Sequence, residues 1–356
     1  MFNGKRLSLA RMRRRLTAKG LADSAGVAAL TIARLEKGEN QPDTETVTKL
    51  AEVLGFPAEF FFADEPPELD TNAVSFRSLS KMSAKERDAA ISAGSLGLEL
   101  SDWVEKRFTL PTPNLIDLSH ETNAESASKW LRQHWGLGER PVSNMIGLLE
   151  THGVRVLSLA ENTSAVDAFS FWRDEKPYIF LNNFKTSEHS IFDSAHELAH
   201  LIMHLHGGPR GQSRSAEREA NHFASAFLMP ANDVRSRMPP FINVNIVIKA
   251  KARWRVSAMA MAYRLHQLGM LTDWQYKSIC IELAKRGFRS AEPGGIERET
   301  SVILKKVLLQ LWSEKTSKND VAEELNLPLD ELEGLVWGLT GADMAPPVRG
   351  SRLNIV

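Results

Sequence analysis

The sequence predicts a mainly α fold in three parts: an N-terminal helix-turn-helix bundle, an α+β domain with a small antiparallel sheet, and a helical C-terminal unit. Three observations lead there. Residues 1–62 repeat short stretches of helical apolar spacing separated by tight breaks. Three runs rich in β-branched and aromatic residues then interrupt an otherwise helical chain between residues 154 and 183. Beyond them the helical periodicity returns and continues to the last third of the chain. A length of 356 residues suggests two or three domains, and 43% hydrophobic residues can fill more than one core.

The first unit spans residues 1–62. Leu7, Leu9, Met12 and Leu16 mark a first helix. Thr17 is the expected N-cap of a second helix running to about Ser24. Ala25-Gly26-Val27 reads as a tight turn, and a third helix is expected from Ala28 to Glu36 with Ile32 and Leu35 inward. Lys37 to Pro42 breaks it. Thr44 opens a fourth helix with Val47, Leu50, Ala51 and Leu54 on one face. Residues 63–110 are expected to be a linker, proline-rich and acidic at 63–75, followed by an amphipathic helix over 81–107. A third segment, residues 111–290, has helical patterns at 124–135 and 142–152. It continues with the strand-like runs VRVLSLA, DAFSFWR and PYIFLNN, and then with helices. EPGGIE at 292–297 sets off the C-terminal unit, residues 291–356, whose run SKNDVAEELNLPLDELEGLVWGL has a second helix-turn-helix cadence and reads as a packing or assembly element.

Composition excludes several classes. The chain has 44 basic and 44 acidic side chains, so it is not a polycation that coats nucleic acid, and DNA binding would need a local basic face. A lone Cys280 excludes an internal disulfide and a Cys-rich zinc finger. The basic N-terminus lacks the apolar core of a signal peptide, and no run approaches the ~20 apolar residues that span a bilayer. A cytoplasmic location with no membrane association is the expectation.

The chemistry-bearing motif is His196-Glu197-Leu198-Ala199-His200. On a helix, positions i and i+4 share a face, so two imidazoles can bind one Zn²⁺ while Glu197 stays beside it as general base. Chance produces such a pentapeptide in roughly one chain in a hundred, so its surroundings matter. Ile191, Phe192, Ala195, Leu198, Ala199 and Ile202 place it in a packed helix. Catalytic zinc usually has three protein ligands. In the next helix Glu217, Ala220, Asn221, Ala224 and Leu228 share a face, which makes Glu217 the expected third ligand and Asn221 a hydrogen-bond partner for a ligand histidine. Glu219 points about 200° away around that helix and reads as a solvated charge. His204 lies one turn past His200, about 6 Å too far along the axis to join the ligands, and reads as a core or cleft residue. Tyr178, Tyr263 and His204 are candidates for polarising the scissile carbonyl; His206 and His222 have no assigned role.

These residues bring a family into view. SEHSIFDSAHELAHLIMH and EREANHFASAFLMP, with VDAFSFW and PYIFLNN upstream and KARWRVSAMAMAYRLHQLGML downstream, resemble the ImmA/IrrE metallopeptidases over roughly residues 145–290. The resemblance implies a zincin-like α+β domain and a gluzincin-type site, with His196, His200 and Glu217 as ligands and Glu197 as general base. Family members often have an Arg near the position of His189, which this chain lacks. The run from Thr17 to Gly55 is similar to XRE-family helix-turn-helix domains. Together the resemblances imply a regulatory zinc endopeptidase that cleaves a protein, often a DNA-binding repressor, after a stress or mobilisation signal.

Seven basic residues and no acid stand in the first nineteen, which suits phosphate contact. Arg13, Arg14, Thr17, Lys19, Thr31 and Arg34 are the expected DNA contacts. The start of the third helix, Ala28-Ala29-Leu30, offers few polar groups to base edges, and Ala18 stands where XRE domains usually have Gln. Two alternatives therefore stay open. One is a non-enzymatic DNA-binding regulator or antitoxin-like repressor with a sensory metal site. The other is a helix-turn-helix used for protein docking. A homodimer is a further expectation, because such modules often read paired half-sites.

Overall fold

The computed structural model describes residues 1–69, 83–159, 168–204, 214–288, 291–336 and 338–341. Within them the chain forms α1 (Gly4–Arg13), α2 (Ala18–Ala25), α3 (Ala29–Glu36), α4 (Thr44–Leu54), α5 (Ala84–Arg107), α6 (Ala124–His134) and α7 (Met145–Thr151). Strands β1 (Arg155–Ser158), β2 (Ala168–Arg173) and β3 (Lys176–Leu181) follow. After them come α8 (Ser187–Met203), α9 (Arg214–Leu228), α10 (Ala231–Arg237), α11 (Val244–Trp254), α12 (Ala258–Gln267) and α13 (Asp273–Lys285). The C-terminal helices are α14 (Val302–Ser313), α15 (Lys318–Glu324) and α16 (Leu329–Val336). Mainly α with one small sheet is thus the observed class.

Local chemistry sets the helix ends. Thr17 caps α2 by accepting from Gly20 N, and Gly26 ends it in the left-handed region at φ 67°. α4 opens at Thr44, as expected, and Asp43 caps it by accepting from Thr46 N. Leu7, Leu21, Ile32, Leu35, Leu50 and Leu54 close the bundle core. Gly4 lets α1 lie against the end of α3, where a Cβ would stand 2.2 Å from Leu35 O.

Two expectations change here. First, α5 is buried more completely than the expected amphipathic helix would be. It starts in a Ser83–Glu86 capping box and is buried around most of its circumference from Ala89 to Val104. Gly94, Gly97 and small serines let it press against the sheet, so it forms the spine between the N-terminal bundle and the α+β part. Of the expected linker, residues 70–82 lie outside the described residues. Second, the sheet is mixed, not antiparallel: its order is β1-β3-β2, with β2 antiparallel and β1 parallel to β3. The β2–β3 hairpin turns at Asp174 and Glu175, both with positive φ (50° and 61°), the conformation of a two-residue hairpin loop. With β3 in the centre, β1 and β2 lie on its two sides. The ends of two runs, residues 160 and 167, lie outside the described residues.

The sheet has two working faces. Phe169, Phe171, Tyr178 and Phe180 stack on the α5 side, where Gly97 meets Phe180. Ser170 and Trp172 point the other way, onto α8. The C-terminal unit packs into the body: Ser301 N donates to Leu339 O at 2.8 Å, and α16 lies on α5 and β1. Among the described residues no helix is long and apolar enough to cross a membrane.

Candidate metal centre

α8 begins at Thr186, whose hydroxyl accepts from His189 N, and it is buried along nearly all its length. That burial puts the motif on the floor of the domain rather than on a solvated face. α9 crosses it through small residues, with Ala195 and Ala199 on α8 and Ala220 and Ala224 on α9 all fully buried. Close approach of the two backbones brings the Glu217 carboxylate to the two imidazoles.

The three groups converge. His196 Nε2 and His200 Nε2 are 3.1 Å apart. Glu217 Oε2 is 3.5 Å from the first, and its Oε1 is 3.4 Å from the second. A tetrahedral site with ligand bonds of about 2.0–2.1 Å has edges of about 3.3–3.4 Å, so the triangle is the size a zinc ion needs. His196, His200 and Glu217 are the cluster of metal-competent side chains found among the described residues. His196 Nδ1 donates to Asn221 Oδ1 at 3.1 Å, which leaves the Nε2 lone pair directed at the triangle.

The electrostatics favour a cation. Burial drives His200 down to about 4, so it is neutral and able to ligate. Burial also opposes charge on His196, but the Glu217 carboxylate next to it, with Glu197 and Asp193, outweighs that and raises its pKa. Glu217 is opposed by burial too, yet the two imidazoles beside it hold it far below the usual carboxylate range. Glu197 is pushed up to about 7 by burial, against the pull of His196 and Ser170.

Sequence reading missed two groups and saw only part of the role of a third. Ser170 Oγ donates to Glu197 Oε2 at 2.7 Å; its signal was a lone hydroxyl within the aromatic run AFSFWR. Asp193, one turn before the motif on the same helix face, has a buried Oδ2 with no hydrogen-bond partner among the described residues. Glu219 is not simply a solvated charge, because its Oε2 lies 3.3 Å from His204 Nε2. His204 stays outside the ligand triangle, as its axial offset predicts, and is buried against His200. Tyr178 is withdrawn as a carbonyl-polarising candidate, since it points to the α5 face of the sheet and is 1% exposed. Tyr263 lies beside the exposed His222, with ring centroids 6.0 Å apart. His206 lies outside the described residues.

The expected DNA contacts divide. Lys19 and Arg34 are exposed, Thr17 is spent on its cap, and Thr31 is half-buried. Arg13 and Arg14 are both half-buried and paired with an acid. Arg13 Nε donates to Glu331 Oε2 at 2.7 Å and Arg14 NH1 to Glu331 Oε1 at 2.6 Å, on α16. Both are engaged by a carboxylate only 2% exposed, which ties α1 to α16.

Fold and site together define a metallopeptidase-type α+β domain joined to a helix-turn-helix module. Comparison with known families agrees: residues 149–266 match the IrrE N-terminal-like domain of the M78 peptidases, and residues 7–61 match a helix-turn-helix model. The ImmA/IrrE and XRE resemblances are thereby borne out. No curated protein matches the chain.

Proposed function

We propose that this chain is a regulatory zinc endopeptidase that cleaves a repressor-type protein and is brought to DNA, or to a DNA-bound substrate, by residues 1–62. The reading fits a cytoplasmic protein. The observation that carries it is the convergence of His196, His200 and Glu217 with Glu197 poised beside them. His196, His200 and Glu217 would hold the ion. When bound, zinc supplies a Lewis acid that acidifies water and polarises a carbonyl.

The protein's own groups do the rest. Glu197 takes a proton from the attacking water and returns it to the leaving amine nitrogen. Its Oε2 is engaged by Ser170, which leaves Oε1 for the transfer. A pKa near 7 suits a group that must both accept and give that proton at neutral pH. Among the described residues β2 is an edge strand, and an extended substrate added there would pass over α8. Lys19, Thr31 and Arg34, beside Thr17, are the proposed DNA contacts.

The test is Glu197→Gln. The variant is expected to keep stoichiometric zinc and lose cleavage of co-encoded repressors by about 10³-fold or more. Undiminished proteolysis would overturn the assignment. Zinc binding with tight operator binding, and no repressor cut by the unaltered chain, would favour the non-enzymatic regulator.

A further inference from the structure

We propose that Glu219 and His204 form a positioning relay behind His200 that fixes which of its ring nitrogens faces the metal; the inference rests on the metal-site reading above. His204 ends α8, and its side chain is 4% exposed. Its Nδ1 lies 3.0 Å from His200 Nδ1, and its Nε2 lies 3.3 Å from Glu219 Oε2.

The proton positions follow from both ends. At the outer end an ionised carboxylate can only accept, so His204 carries its proton on Nε2. A neutral imidazole has one N–H, so His204 Nδ1 is an acceptor. The short Nδ1–Nδ1 contact then needs its proton from His200. At the inner end, His200 Nε2 faces Glu217 and His196 Nε2, where it would offer a lone pair to a bound ion, and that again places its proton on Nδ1. Both derivations give one arrangement: His200 Nδ1–H donates to His204, and His204 Nε2–H donates to Glu219.

The geometry also explains why α9 carries two acids two residues apart. They point about 200° away from each other around a helix. Glu217 meets the ligand nitrogens, whereas Glu219 reaches the end of α8 from the other side. The relay thus runs from the buried triangle to a carboxylate that is 40% exposed. Asn221 performs the same task for His196 in one step.

The test uses the full chain with ¹⁵N-labelled histidine. Imidazole tautomers are read in the metal-free protein, and zinc affinity is measured by chelator competition. His204→Leu keeps an apolar filling but removes the acceptor. It is expected to lower zinc affinity about 10–100-fold and to shift His200 towards the Nε2–H tautomer. His204→Gln, whose amide oxygen can accept, is expected to recover part of both. Glu219→Ala is expected to cost about 10-fold and to randomise the His204 tautomer. Unchanged tautomers and affinity in both His204→Leu and Glu219→Ala would overturn the relay. If His204→Leu does not fold, Glu219→Ala at its half-exposed position decides alone. Failure of the unaltered chain to take up zinc would count against the peptidase reading, while the metal-free tautomers would still decide the relay.

Discussion

Glu197 and Ser170 show how one hydroxyl conditions a reactive carboxylate. Ser170 donates to Glu197 Oε2 in a buried setting, where a hydrogen bond to a charged acceptor contributes about 1.5–3 kcal/mol. Replacing it with alanine removes that restraint without touching a ligand. Ser170→Ala is expected to lower kcat by about 10-fold or more while zinc content stays stoichiometric. Metal analysis beside steady-state kinetics checks this; loss of zinc in step with activity would mean that Ser170 supports the ion and not the base. The same scale explains what was readable beforehand. Glu197 was legible from its place between two histidines, whereas Ser170 became relevant only when β2 lay across α8.

At the scale of elements, two contacts stand out. α5 reaches the sheet through Gly97, where an added Cβ would lie 2.5 Å from Phe180 Cε1. Phe180 is fully buried and stacked on Phe169 and Phe171, so it cannot yield. Gly97→Ala would gain up to about 1 kcal/mol of helix propensity, yet overpacking costs about 1–3 kcal/mol. A net loss of stability in denaturant titration is expected; a gain would mean that α5 can slide. The second contact is a reciprocal exchange of caps. Glu299 accepts from Met145 N and Ile146 N at the start of α7, and Glu150 from α7 accepts from Val302 N and Ile303 N at the start of α14. Burial raises Glu299 despite those bonds and the nearby Arg255. A raised folded-state pKa means that its stabilising share is complete below the ordinary carboxylate value and is lost as pH climbs through the raised one. Thermal melts from pH 4 to pH 8 should therefore move in favour of Glu299→Gln relative to the parent chain; the opposite drift would refute the burial argument.

Across the whole molecule, much of the basic N-terminal cluster is engaged in ion pairs within the chain. Lys5 pairs with Glu68, Arg6 with Glu99 on α5, Arg11 with Glu36, and Arg13 and Arg14 with Glu331. The helix-turn-helix module is thereby fastened to the spine and to the C-terminal unit. On α3, Leu30 is 60% exposed, and the cations left facing outward near it include Arg34. On a mixed-sequence duplex, Arg34→Ala is expected to reduce the slope of log affinity against log salt by about 1. Arg13→Ala should leave that slope alone and lower the melting temperature. Equal slope changes in the two variants would restore Arg13 as a phosphate contact.

Legibility in the sequence follows the reach of each interaction. The paired imidazoles, the Thr17 cap, the Gly26 turn and the helical face carrying Glu217 were readable because each depends on residues within a turn or two along the chain. Sequence alone therefore determined the helix-turn-helix, the α+β class and the histidine pair. The parallel β1–β3 pairing, the burial of α5, the contact of Glu219 with His204 and the bridge from Arg13 to Glu331 were decided by tertiary structure. Each joins groups whose meeting is set by how layers pack, and local periodicity is the same whichever partner a face or a charge finally meets.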